Sequence, residues 1–296
     1  MAPSRVLFRS SRPSAGRTST VVEVTPSRAG WRFVHFAVRH VAPGKPWSDT
    51  TRGEECCLVL LRGSCRVEFG AQTLRARGRA GRDWTSLGPR RDVFSGYPYA
   101  IYLPPRTRFQ VIASEPTELG DGRAPTRKHF EPRLIRPEDC GFEIRGGGNA
   151  TRQIVDIIPP SAPADRLLIC EVFTPAGNWS SYPPHKHDVD RPPGEVKLEE
   201  IYYYRFADRD AFGFQRLYNN SKSGDQALTV SHGDVVLVRS GYHTFVTAHG
   251  YDAYYLNVLA GTRRSMAASD DPRYASLRQW PPPDSRLPLV TPPSMQ

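Results

Sequence analysis

The chain has 296 residues, 39% of them hydrophobic, and a formal net charge of +10, a length that accommodates two domains, each with its own core. Its basic residues are scattered rather than gathered into a Lys/Arg block or a basic helix, which argues against a nucleic-acid partner and leaves a mild attraction for small anions. No run of about 18 apolar residues is present to cross a bilayer and no charged head leads into an apolar signal core, so a protein without a membrane partner is expected.

The five cysteines (Cys56, Cys57, Cys65, Cys140 and Cys170) are odd in number and lack a C-x-x-C pair. Neither a disulfide framework nor a thiolate zinc site is expected, and a cytoplasmic location fits. Arg5, Arg9, Arg12 and Arg17 precede the first acidic residue, Glu23, among several serines. That is the composition of an organelle transit peptide, although the arginine richness of the whole chain accounts for it equally well.

With 28 Pro, 24 Gly, 13 Tyr and 13 Phe, the composition suits many short strands joined by turns, an all-β protein. Residues 1–20 read as an N-terminal arm. From Trp31 to Val41 the run WRFVHFAVRHV alternates apolar and polar residues, the period of a half-buried strand. CCLVLL (from Cys56), CRVEF (from Cys65), AIYL (from Ala100) and FQVIA (from Phe109) follow between turn-forming residues. Together they predict a first β domain over 21–115.

Residues 116–152 are polar, proline-rich and glycine-rich, and read as a connecting segment. Gly146-Gly147-Gly148 lacks the following G-K-[ST] of a phosphate cradle and reads as a turn. A second set of strands predicts a second β domain over 153–265, with 266–296 as a C-terminal tail. Glu54-Glu55-Cys56-Cys57 can be laid on Glu199-Glu200-Ile201-Tyr202, and Tyr102-Leu103-Pro104 and Phe109 on Val236-Leu237-Val238 and His243. Two copies of one β fold are expected.

His185 and His187 flank Lys186, and in an extended segment residues two apart point to the same face. An H-x-H in a solvated loop is commonplace, but here Glu200 opens a β-forming run thirteen residues after His187, and His243 follows a second strand. Three imidazoles and one carboxylate suit Zn, Mn, Fe, Co or Ni rather than Ca or Mg.

This order of ligands resembles the cupin superfamily. The run Gly177-Asn178-Trp179-Ser180-Ser181-Tyr182-Pro183-Pro184-His185-Lys186-His187-Asp188, with Leu198 to Arg205, Gly213 to Arg216, Gly233 to Val238 and Tyr254 to Val258, is similar to the 5-deoxy-glucuronate isomerases of bacterial myo-inositol breakdown. The resemblance spans about residues 20 to 280. It implies a bicupin fold of two jelly-roll-type barrels, with one divalent transition metal in the second barrel held by His185, His187, Glu200 and His243. It also implies conversion of the aldose 5-deoxy-glucuronate to 2-deoxy-5-keto-gluconate. Glu200 is chosen over Glu199 because the cupin ligand stands directly before an aliphatic residue and alternating aromatics. Arg239, Ser240 and Thr244 around His243, and Met266, depart from the family pattern.

The first barrel is expected to lack a site, since Lys45, Pro46 and Trp47 stand where an H-x-H would be and Phe109 stands opposite His243. In the second, Tyr202 and Tyr204 share the face of Glu200 and are candidates to move protons, or simply pack. Asp188 is a candidate to orient an imidazole. The carboxylate of a sugar acid asks for an arginine or lysine, for which Arg216 and Lys186 are the candidates. The small anionic substrate is the expected partner, a homo-oligomer being compatible. A metal-dependent dioxygenase and a non-catalytic sugar-binding cupin are the competing readings.

Overall fold

The computed structural model describes residues 5–13, 16–71, 83–219, 224–279 and 282–293; residues 1–4 and 14–15 of the arm and 280–281 and 294–296 of the tail lie outside them. Among these residues the regular structure is nearly all antiparallel strand, with one four-residue α-helix, Pro26–Ala29, and short 3-10 turns. Among the described residues no helix is long and apolar enough to cross a membrane.

The first barrel has a sheet ordered Arg133–Ile135, Ala100–Leu103, Glu54–Ala71, Thr117–Pro125, His35–Val41 and Ser19–Val24. The long strand Glu54–Ala71 shifts register near Arg62 and continues into a second layer with Asp83–Arg90, Thr107–Ala113 and Trp47–Thr50. The second barrel pairs a sheet ordered Leu7–Phe8, Val235–Val238, Leu198–Phe206, Ala253–Gly261, Leu168–Thr174, Arg152–Ile158 and Gly141–Arg145 with a five-stranded one. The latter runs Gln226–Ser231, Phe212–Tyr218, Tyr242–Thr247, Trp179–Lys186 and Ser269–Asp270.

Alternation along the strands builds three main cores. Cys56, Leu58 and Leu60 face the interior of the first barrel, and Tyr202, Tyr204 and Phe206 that of the second. The intervening positions Cys57, Val59 and Leu61 meet Ile201, Tyr203, Leu256 and Val258 in a core between the barrels. The two large sheets therefore pack back to back, and apolar burial on both faces makes their strands nearly all buried.

Several sequence expectations are corrected here. Within the expected connector 116–152, Thr117–Pro125 is an interior strand of the first sheet, paired on both sides. Its glycines and charges look like a loop but serve the packing. A Cβ at Gly120 would lie 2.8 Å from Leu256 Cδ2 and one at Gly122 3.1 Å from Val258 Cγ1, so the opposing sheet can approach only over glycine. Gly141–Arg145, also in that segment, edges the second sheet. The arm places Leu7 and Phe8 on Val236 and Val235 of the second barrel. The tail docks through Gln153, whose side chain accepts from the Leu289 and Val290 amides at 2.9 and 3.1 Å.

The internal repeat is real in order but displaced by one residue from the sequence superposition. Glu55 and Glu199, not Glu55 and Glu200, occupy matching faces. Glu199 accepts the backbone N–H groups of Arg32, Phe33 and Val34 at 2.6, 2.6 and 2.9 Å. Glu55 accepts those of Asp165, Arg166 and Leu167 at 2.8, 2.6 and 2.8 Å. Each barrel thus clamps the segment entering the other. The strand predicted from Trp31 begins at His35, because the amides before it turn toward Glu199. A one-residue slip exchanges the faces of a strand, which is why the slip matters for Glu200.

Candidate active site

Glu200, His187 and His243 converge inside the second barrel. Their candidate ligand atoms all lie within 4.8 Å of one another, and all three side chains are buried. His185 stands beside this set of three, its ring centroid 4.4 Å from that of His243 and 6.3 Å from that of His187. Three strands supply the set: Trp179–Lys186 runs into the two histidines, Leu198–Phe206 presents Glu200, and Tyr242–Thr247 presents His243. His243 lies opposite both His185 and Leu217 in the strand register.

The strand carrying His185 is irregular between Ser180 and His185, and a bulge of this kind re-aims side chains near a site. Ser181 there has φ of +53°, a left-handed conformation that is costly for a residue with a Cβ. Its hydroxyl is anchored to the Tyr202 and Tyr255 hydroxyls at 2.9 and 3.3 Å.

Electrostatically the cluster is incomplete as protein alone. His187 Nδ1 lies 3.0 Å from the Leu198 carbonyl, which can only accept, so Nδ1 carries the proton and Nε2 turns its lone pair inward. That Nε2 is 2.8 Å from Glu200 Oε2, setting two acceptors face to face unless a cation or proton lies between them. Both ring nitrogens of His243 are buried without a hydrogen-bond partner, although Nε2 comes within 3.3 Å of Glu200 Oε2. Burial would lower the His187 pKa, but Glu200 beside it holds it above the ordinary value. Burial and the neighbouring imidazoles push His185 well below that value, and burial lowers His243. Glu200 is held down to about 2, against the effect of burial, by His187 and His243. Two imidazoles kept neutral by burial and a third drawn to an ionised carboxylate, with the buried nitrogens of His243 unsatisfied, form a donor set that fits a divalent transition metal.

Next to this cluster is a cavity of about 420 Å³, lined by His185, His187 and Glu200 together with Arg145, Arg152, Arg278, Asp270 and Met266. The three arginines and Asp270 were not singled out in the sequence. They lie in the expected connector and tail or at the boundary between segments, and 40 Lys and Arg residues hide them.

The candidates for substrate contact are corrected. Leu217, opposite His243, takes the inward position, so Arg216 points to the outer face. There its Nε is 2.9 Å from Asp225 Oδ1 and its guanidinium stacks on Tyr218. Lys186, between two inward histidines, also points away from the cavity, and its ammonium is held by Asp188 at 2.7 Å and Glu195 at 2.8 and 2.9 Å. Asp188 accepts from the Gly241 amide at 2.8 Å, two residues before His243, and so fastens the hairpin rather than an imidazole. Tyr202 packs edge-on against His243, with its hydroxyl on Ser181. Tyr204 donates to Gln215 deeper in the barrel. Neither tyrosine lines the cavity.

In the first barrel Asp49 stands opposite Phe109 as His185 stands opposite His243, and Cys56 takes the inward place of Glu200. The interior is closed by Arg123, whose Nε and Nη2 are 2.7 and 2.9 Å from Asp121, while Nη2 is also 2.8 Å from Asp49. Arg39 adds a second contact to Asp121 at 3.1 Å.

Comparison with known proteins bears directly on these barrels. The KduI/IolB family pattern matches residues 6–277. The chain belongs to the KduI/IolB family. It is 42% identical over 270 residues to the 5-deoxy-glucuronate isomerase of Geobacillus kaustophilus, covering 91% of this chain and 94% of that one. It is 36% identical over 256 residues to the enzyme of the same name from Bacillus subtilis, covering 86% and 91%. A crystal structure of an IolB-like protein from Salmonella typhimurium superposes with a TM-score of 0.84 at 34% identity, covering 92% of this chain and 99% of that one. An oxalate decarboxylase of Bacillus subtilis, at 13% identity and a TM-score of 0.62 over 91% of this chain and 80% of that one, shares the fold.

Proposed function

We propose that this KduI/IolB family member isomerises 5-deoxy-D-glucuronate to 2-deoxy-5-keto-D-gluconate, with His185, His187, Glu200 and His243 as ligands of one divalent transition metal. The observation that carries the metal assignment is the pair of unsatisfied, fully buried nitrogens of His243 beside Glu200. The identity with relatives named for this reaction supports the substrate.

The reaction moves a hydrogen between the aldehyde carbon and its neighbour, and the negative charge that builds on the two oxygens is the main cost. A divalent ion held by these four residues would supply Lewis-acid stabilisation of that charge. The chain's own residues do the rest. The carbonyls of Pro183 and Leu198, at 3.3 and 3.0 Å from the Nδ1 atoms of His185 and His187, fix the two rings. The Asp188–Gly241 contact steadies the hairpin that aims His243. The Tyr202, Tyr204 and Tyr255 column closes the barrel beneath and keeps water out of that side.

A proton carrier must open onto the cavity. Among the described residues lining it, Asp270 is the one carboxylate other than Glu200, and it sits opposite His185 in the strand pair. We assign Asp270 to that role in preference to the two tyrosines. The five cysteines are free, in keeping with a cytoplasmic enzyme.

The direct test is NMR of purified protein with 5-deoxy-glucuronate. The aldehyde signal should disappear and a ketone signal appear in equal amount. Oxygen consumption without ketose formation would favour a dioxygenase instead, and binding without any conversion would favour a sugar-binding module.

A further inference from the structure

Among the described residues, four arginines are buried: Arg90, Arg123, Arg152 and Arg205. Three have carboxylate partners. Arg90 forks onto Glu171 with two contacts of 2.8 Å, Arg123 is held by Asp121 and Asp49, and Arg205 by Glu118. Arg152 has none. It is 5% exposed, and its contacts are Nη1 to the carbonyls of Tyr182 at 2.9 Å and Ala150 at 3.4 Å.

Such a charge is costly to bury unless an anion completes it. Arg152 opens the strand Arg152–Ile158 and lines the cavity that also holds His185, His187 and Glu200. The two other arginines of the cavity are already engaged, Arg145 with Glu143 at 2.8 and 2.6 Å and Arg278 with Asp270 at 2.6 Å. Burial, with Arg145 and Arg278 nearby, lowers the Arg152 pKa to about 10, so the group remains charged at neutral pH while short of a counter-ion.

We propose that Arg152 receives the carboxylate of the substrate through the guanidinium edge its protein contacts leave open, and so decides which end of the sugar acid faces the histidines. The inference rests on the isomerase reading and deepens it. A carboxylate and a guanidinium form a planar, two-bond fork. In 5-deoxy-glucuronate the carboxylate and the aldehyde are the two ends of one six-carbon chain. Anchoring the acid at Arg152 leaves the aldehyde end for the metal-ligand cluster, and a neutral sugar of the same length lacks the anchor.

The test uses the metal-loaded full chain and two variants, Arg152→Met and Arg152→Lys. Calorimetric binding of D-glucuronate, with D-glucose as the neutral control, is measured beside turnover of 5-deoxy-glucuronate. Arg152→Met should weaken glucuronate binding on the order of 100-fold and raise KM in step, with metal content and any glucose binding unchanged. Arg152→Lys, which keeps the charge but not the fork, should recover part of the loss, and it carries the test if the methionine variant fails to fold. The proposal is overturned if both variants bind glucuronate as the parent does, if they lose acid and neutral sugar alike, or if the parent itself does not prefer the acid. Arg152-dependent acid binding without turnover would leave the anchor standing and sink the isomerase reading. Turnover indifferent to Arg152 would do the reverse.

Discussion

The two barrels are built on one frame and end in opposite electrostatic states. In the first, the place matching the histidine–glutamate cluster holds Asp49, Cys56 and Phe109, and the polar groups there find each other: Arg123 lies between Asp121 and Asp49 with contacts of 2.7 to 2.9 Å. In the second, His243 has two buried nitrogens without partners, and Arg152 has no carboxylate. A barrel whose buried charges are mutually satisfied is a structural element. One whose buried polar groups lack partners suits the ion and the anion proposed above. The clamps by Glu55 and Glu199 tie the two together, so that the satisfied barrel holds the strand bearing Glu200 in place.

Removing the satisfied pair should therefore damage stability without touching chemistry. Arg123→Met leaves buried Asp121 with Arg39, the Cys56 thiol and His35 beside it but without its fork, and should cost about 3–5 kcal/mol of unfolding free energy, read by chemical denaturation. Metal content and kcat should remain those of the parent; a proportionate fall in kcat would show that the first barrel takes part in the reaction.

The clamps give a smaller and more diagnostic effect. Glu55→Gln weakens four charge-assisted hydrogen bonds, one of them from the Tyr102 hydroxyl, and Glu199→Gln three; each should cost about 2 kcal/mol. Only Glu199→Gln, one residue from the proposed ligand Glu200, should also speed metal loss to a chelator. Equal metal loss in both variants would mean that the clamps act on the whole molecule rather than on the strand.

The smallest effect belongs to Arg216. Its ion pair with Asp225 is on the outer face with both side chains substantially exposed, at 40% and 44%, and such pairs contribute about 0–1 kcal/mol. Arg216→Ala should leave KM unchanged in steady-state assays, and a clear rise would restore it as a substrate contact.

Much of this was legible in the sequence. Strand alternation, the two-fold repeat and the spacing of His185, His187, Glu200 and His243 are short-range or ordered patterns that one chain displays openly. What failed was whatever depends on an opposing surface. Gly120, Asp121, Gly122 and Arg123 look like a loop until the second barrel presses on the glycines and Asp49 and Arg39 pair with the charges. Glu55 was set against Glu200 because two adjacent glutamates begin each strand, and only the partner amides reveal the true register. Arg216 and Lys186 are candidates by residue type and position in family-like runs, whereas Arg152 stands out only once its neighbours, or their absence, are in view.

The measurement that most directly tests the central claim is metal content together with turnover, for the parent and for a His185→Ala, Glu200→Gln double variant. The parent should carry about one divalent transition ion per chain, lose turnover on chelation and regain it when the ion is restored. The double variant should keep the circular dichroism of the parent while losing both metal and turnover. Full conversion of 5-deoxy-glucuronate by metal-free double variant would contradict the assignment of this cluster as the active centre.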